Sequence, residues 1–163
     1  MELPEHLKAY EKKAVFCESK ANELLSAIAC VHDHGVLHRD IKPANVLIDR
    51  DGRARLMDFG VARLQASGRG LPSSHTTEPN DKIVGTLRFL APELLESGQP
   101  TRRTDLYALG VMLRIAVGES DPGPQIEKLI AWLTHPHPEA RPRDAHAALA
   151  HAALAQLRRA ARP

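Results

Sequence analysis

An acid, a base and an amide fall within one short polar run, HRDIKPAN, at residues 38–45. Asp40 can accept or orient a hydroxyl proton, Lys42 two positions on can sit against a phosphate, and the side-chain oxygen of Asn45 suits Mg²⁺. Those types at that spacing are the make-up of a phosphoryl-transfer site. The same pattern also fits a polar turn closed by a solvent ion pair, so the segments that follow decide between the two.

The elements around the run can position it. Leu24, Ile28 and Val31 recur at i, i+4 and i+7 and predict a helix over about 19–33, ended by Gly35. Residues 4–16 have weaker helical character. Beyond the run, 46–48 and 53–57 read as two short strands joined by Asp49-Arg50-Asp51-Gly52, a hairpin that delivers Asp58, Phe59 and Gly60 back toward the polar loop. Residues 61–82 are rich in Gly, Ser, Thr and Pro without apolar period, which predicts a long, mobile surface segment carrying Ser67, Ser73, Ser74, Thr76 and Thr77. Three further helices are expected: from about Thr104 through Val117, over 125–134 with Ile126, Leu129, Ile130 and Leu133 on one face, and over the Ala-rich 144–160. The run from Asp121 to Pro124 separates the first two.

Composition narrows the class. A chain of 163 residues with 43% apolar and 26% charged content fits one soluble globular domain with a real core. A net charge of +2 with scattered Lys and Arg gives no electrostatic case for nucleic acid, and Arg158, Arg159 and Arg162 read as a short solvated tail. Cys17 and Cys30 match no metal spacing, and the N-terminus lacks the apolar core of a signal peptide, so a reduced, intracellular, cytoplasmic protein is expected. The most apolar run, 106–117, is too short to span a membrane and contains Arg114. The pairs His32 with His34 and His135 with His137 have no clustered Cys or carboxylate partners of the kind a metal site needs.

In order, the chain carries HRDIKPAN at 38–45, DFG at 58–60, VGTLRFLAPE at 84–93 and TDLYALGVML at 104–113. Together these resemble the C-terminal lobe of a eukaryotic-type (Hanks-type) Ser/Thr protein kinase, over roughly residues 1–157, with 158–163 as a basic tail. The implied fold is mainly α, a kinase-like C-lobe with a small β-hairpin beside the catalytic loop. The resemblance implies ATP and Mg²⁺ as cofactors and a protein as substrate. It makes Asp40 the catalytic aspartate, Lys42 the contact to the γ-phosphate, Asn45 and Asp58 the Mg²⁺ ligands, and Leu47 the apolar residue under the adenine ring. Lys42, second after the aspartate, resembles the Ser/Thr-specific members. Arg39 would pair with a phosphate on the activation segment, with Ser73, Ser74, Thr76 and Thr77 as candidate carriers. Thr86 would lie beside the substrate hydroxyl. Glu93 and Arg141 would form a buried scaffold pair, Asp105 would hold the backbone of the catalytic loop, and His38 and Phe59 would be stacked side chains joining two lobes.

The pattern departs from the family upstream. A whole kinase places a glycine-rich loop and a strand lysine paired to a helix glutamate before the catalytic loop, whereas the 37 residues before His38 contain neither, and Met1-Glu2-Leu3 resembles the hinge between lobes. An incomplete domain without its N-lobe is therefore expected. Removing one such stabilising donor costs about 10² to 10³ in rate and two approach about 10⁵, so weak ATP binding and slow turnover are expected of the chain alone. GESDPGP at 118–124 stands where the family inserts a further helix and loops used in substrate docking. The expected function is a Ser/Thr kinase domain whose N-lobe lies upstream or on a partner chain. The alternatives are a non-catalytic kinase-like scaffold or binding module, and a truncated gene product.

Overall fold

A computed structural model describes residues 18–59, 63–64, 87–119 and 122–160. The helix expected at 4–16, Gly60, Thr86 and the hydroxyls at Ser67, Ser73, Ser74, Thr76 and Thr77 lie outside the described residues.

Helix α1 (Glu18–Asp33) buries Ala21, Leu24, Leu25, Ile28, Ala29 and His32. Their three- and four-residue spacing lays them along one face, and His32 continues that face where the sequence suggested Val31. Gly35, at φ +70°, ends the helix with its amide 3.0 Å from the His32 carbonyl, a left-handed conformation that suits glycine.

The chain then forms β1 (Val36–Leu37), the polar loop closed by a 3₁₀ turn at Pro43–Asn45, and β2 (Val46–Ile48) antiparallel to β3 (Ala54–Leu56). Asp49 fixes the hairpin turn: its Oδ1 accepts the amides of Asp51 and Arg53 at 3.0 and 2.9 Å, while Gly52 takes φ +75°. The register pairs Val46 with Leu56, Leu47 with Arg55 and Ile48 with Ala54. Side chains alternate across such a pair, so Val46 and Ala54 enter the core and Leu47 and Met57 face out on the other side.

One strand lies inside the stretch that the sequence presented as irregular. β4 (Arg63–Leu64) pairs antiparallel with β1, Val36 against Leu64 and Leu37 against Arg63. Two residues per strand are too few for an alternation to register in the sequence.

Beyond it come α2 (Pro92–Ser97), α3 (Arg102–Val117), α4 (Pro124–Leu133), a 3₁₀ turn at Pro138–Ala140 and α5 (Ala145–Ala160). The last helix takes in the first residues of the expected tail. Thr101 caps α3: the Thr104 hydroxyl accepts the Thr101 amide at 3.0 Å and donates to the Thr101 carbonyl at 2.6 Å. This helix is the axis of the core. Leu106, Leu109, Met112 and Leu113 are buried along it, joined by Leu24, Leu25 and Ile28 of α1 and by Ile126, Leu129, Ile130 and Leu133 of α4. Burying each such side chain contributes about 1.5–3 kcal/mol, which makes α3 a rigid base for what hangs on it. The fold is mainly α with small antiparallel strand pairs, as the sequence led us to expect.

Candidate active site

The polar loop hangs from α3 through one buried carboxylate. Asp105, 2% exposed, accepts the amides of His38 and Arg39 on Oδ2 and Oδ1, each at 2.9 Å. Arg39 takes φ +68°, a conformation that costs a non-glycine residue about 1–3 kcal/mol unless its surroundings impose it. The two amide bonds impose it here. A buried carboxylate with fixed donors on both oxygens is rigid in a way that a surface aspartate is not.

A residue unforeseen in this role completes the anchor. His32 of α1, also 2% exposed, places Nε2 at 2.9 Å from Asp105 Oδ2, so α1, α3 and the loop meet at one carboxylate. The signal was present in the sequence: His32 falls at i+4 from Ile28 on the apolar stripe. A histidine at such a position is buried, and a buried histidine needs a polar partner.

The reactive types converge as their spacing suggests. Lys42 Nζ lies 2.8 Å from Asp40 Oδ2. The 3₁₀ turn carries Asn45 back over the loop, and its Nδ2 donates to the Asp40 carbonyl at 2.7 Å and to Asp40 Oδ2 at 3.0 Å. Both partners are acceptors, so the amide nitrogen faces Asp40 and the side-chain oxygen faces the other way. Asp40 is thereby oriented by an amide and an ammonium while staying half-buried, within reach of a bound group.

The segment after β3 closes against the same loop. Met57 donates its amide to the Asn45 carbonyl at 2.8 Å, and His38 Nε2 lies 3.1 Å from the Met57 carbonyl. Asp58 follows at φ +59°, which aspartate tolerates better than most residues, and it is exposed. The Phe59 ring meets the His38 ring edge-on at a centroid distance of 5.0 Å. Leu47, Met57 and Phe59 are 40–48% exposed, which leaves an apolar surface at this side of the loop.

A divalent cation would find hard oxygen donors here in the Asp58 carboxylate and the Asn45 side-chain oxygen, borne by segments joined through the Asn45–Met57 bond. That donor chemistry fits Mg²⁺, which takes few protein oxygens and shares the rest of its shell with water and phosphate.

Glu93 and Arg141 lie apart from this cluster and meet each other as a bidentate pair, Nη1 to Oε1 at 2.7 Å and Nη2 to Oε2 at 2.8 Å. The guanidinium also stacks on Tyr107 of α3, 4.6 Å from the ring centroid. Tyr107 was not foreseen, because nothing in its local pattern announces a cation partner 34 positions away.

Against known families, residues 2–128 match the model of the protein kinase domain. Among curated proteins, the chain is 36% identical over 153 residues to the DNA damage-responsive serine/threonine-protein kinase RqkA of Deinococcus radiodurans, which covers 77% of this chain and 22% of that protein. It is 41% identical over 117 residues to the L-type lectin-domain containing receptor kinase V.5 of Arabidopsis thaliana, covering 66% and 17%. It is 38% identical over 91 residues to the serine/threonine-protein kinase PrkC of Bacillus subtilis, covering 56% and 13%. The chain spans less than a quarter of the length of each of these relatives.

Proposed function

We propose, from the premise that this chain belongs to the protein kinase family, that it takes part in the transfer of the ATP γ-phosphoryl group to serine or threonine hydroxyls of a protein. The observation that carries the proposal is the suspension of Asp40, Lys42 and Asn45 from Asp105 through the His38 and Arg39 amides, with the strand end bearing Asp58 bonded to the same loop. A polar turn with a solvent ion pair needs no buried carboxylate beneath it.

In this reading Asp40 orients the substrate hydroxyl and receives its proton at a carboxylate oxygen already set by Asn45 and Lys42. Lys42 lies against the transferred phosphate and stabilises its charge. Asn45 and Asp58 would hold Mg²⁺, which supplies neutralisation of phosphate charge when bound. Leu47, with Met57 beside it on the outer face of the hairpin, takes the adenine ring. Arg39 is the partner of an activation-segment phosphate, Thr86 stands by the hydroxyl, and residues 1–157 make up the lobe. The apolar surface at Leu47, Met57 and Phe59 favours a covering lobe, on this polypeptide or a partner. Among the described residues no helix is long and apolar enough to cross a membrane, and we place the activity in the cytoplasm.

The test is transfer of labelled phosphate from Mg-ATP into the chain and into a generic Ser/Thr substrate, beside nucleotide binding. Asp40→Asn is expected to lower transfer by about 10² to 10⁴ while leaving binding largely intact. Asp58→Asn is expected to weaken Mg²⁺-dependent binding at least about tenfold. Equal incorporation by the chain and Asp40→Asn would overturn the catalytic assignment. Binding without incorporation would leave the scaffold alternative, and no Mg²⁺-dependent binding would sink the nucleotide site altogether.

A further inference from the structure

The ring of His38 sits between two main-chain groups whose hydrogen-bonding polarity is fixed. Its Nδ1 lies 3.3 Å from the Asp40 amide, which can only donate, and its Nε2 lies 3.1 Å from the Met57 carbonyl, which can only accept. One form of imidazole satisfies both: neutral, with the proton on Nε2. The residue is 1% exposed, so water cannot readily stand in for either partner. A second proton would sit on Nδ1 and oppose the Asp40 N–H, donor against donor.

Charged groups stand near the ring on several elements, none of them, among the described residues, shown bonded to its nitrogens. In the loop, the Asp40 carboxylate is engaged by Lys42 and Asn45, and Arg39 is tied through its amide to Asp105. From α3, Asp105 accepts the backbone amide of His38, and from α1, His32 donates to the same carboxylate. After β3, Asp58 is exposed and Phe59 presents its ring. From β1 the neighbour is apolar Leu37, with Arg63 of β4 across from it in the register. Among the described hydrogen bonds none brings a carboxylate to either ring nitrogen of His38.

We propose that His38 is a proton-sensitive clasp: the neutral ring ties Asp40 to the strand end that carries Asp58, and protonation releases the Asp40 amide and loosens the two halves of the site from each other. Both acidic groups of the proposed reaction are one residue or less from an atom the ring holds. The functional consequence rests on the phosphoryl-transfer reading; the clasp itself does not.

The experiment follows the histidine ring nitrogens and the Asp40 amide of the ¹⁵N-labelled full chain by NMR from about pH 8 to about pH 5, where imidazoles titrate. His38 is expected to show a proton on Nε2 and a bare Nδ1 at the upper end. As it takes up a proton, the Asp40 amide is expected to shift with the same midpoint and to lose roughly threefold to tenfold of its protection, measured against the intrinsic exchange rate at each pH, the worth of one hydrogen bond. His38→Phe, which keeps a ring against Phe59, is expected to show the lower protection at every pH and no step. An Nδ1–H tautomer at the upper end, an Asp40 amide indifferent to the His38 titration, or a ring that stays neutral down to acid unfolding would each overturn the clasp. Mg-ATP binding is expected to fall across the same midpoint. Its absence at every pH, with the Asp40 step intact, would sink the phosphoryl-transfer reading and leave the clasp standing.

Discussion

Arg141 carries five N–H donors, and each has an acceptor. Nε donates to the His135 carbonyl at 2.7 Å, Nη1 to Glu93 at 2.7 Å and the Arg103 carbonyl at 3.2 Å, and Nη2 to Glu93 at 2.8 Å and the Pro136 carbonyl at 3.0 Å. At 3% exposure this is a buried charge whose every proton is used, the condition under which a buried ion pair is tolerated. Arg141→Met leaves the Glu93 carboxylate and three carbonyls without these donors, and the expected loss is about 3–5 kcal/mol, read as a lowered urea midpoint. A loss under about 1 kcal/mol would mean that solvent already serves those groups. The pair could be read from the sequence because the motifs bearing both members are recognisable. Its stacking on Tyr107 could not, and neither could the carbonyls, since main-chain acceptors leave no trace in side-chain types.

Between elements, what decides the packing is where small residues let helices close. A Cβ built on Gly110 of α3 would stand 2.7 Å from the Leu133 Cβ and 2.7 Å from the Thr134 Cγ2, so α3 and the end of α4 touch where there is no side chain. Alanine would gain about 1 kcal/mol of helix propensity but must push against an atom fixed to the α4 backbone. Overpacking of that kind costs about 1–3 kcal/mol, and Gly110→Ala is expected to lower the thermal midpoint by several degrees; an unchanged or raised midpoint would show that α4 moves freely. Glu23 joins α1 to β3. Burial alone would raise its carboxyl, but the Ala54 amide at 2.7 Å and Lys20 at 3.0 Å hold it below the ordinary 4.5. A carboxyl depressed on folding contributes its stabilisation in full above the unfolded value and loses it as pH falls through the folded one. Glu23→Gln should therefore be less stable than the parent at neutral pH, by up to about 1 kcal/mol, with the gap closing in acid; a gap that persists at low pH would assign the effect to packing. The β2–β3 hairpin was legible because Asp49 and Gly52 impose its turn locally. The β1–β4 pairing was not, because its partners lie far apart in sequence and are short.

At the scale of the whole molecule, the candidate site is less a surface loop than an extension of the core. The loop amides end on Asp105, Asp105 lies on α3, and α3 is packed by both α1 and α4, with His32 bracing the carboxylate from α1. A polar loop is ordinarily among the first parts of a protein to open, whereas one hung from the central helix can open only when that helix gives way. The His38 and Arg39 amides are thus expected to exchange with solvent at rates close to those of the α3 interior, with protection approaching the global unfolding free energy. The Asp51 amide, held only by a side chain within its own turn, is expected to exchange through local opening, orders of magnitude faster. Exchange of His38 and Arg39 at the rate of Asp51 would contradict this coupling. If the coupling holds, a substitution deep in the α1–α3 contact, such as Ile28→Ala, alters loop protection and Asp40 geometry together. Damage to the core and damage to the candidate chemistry would then be one measurement rather than two.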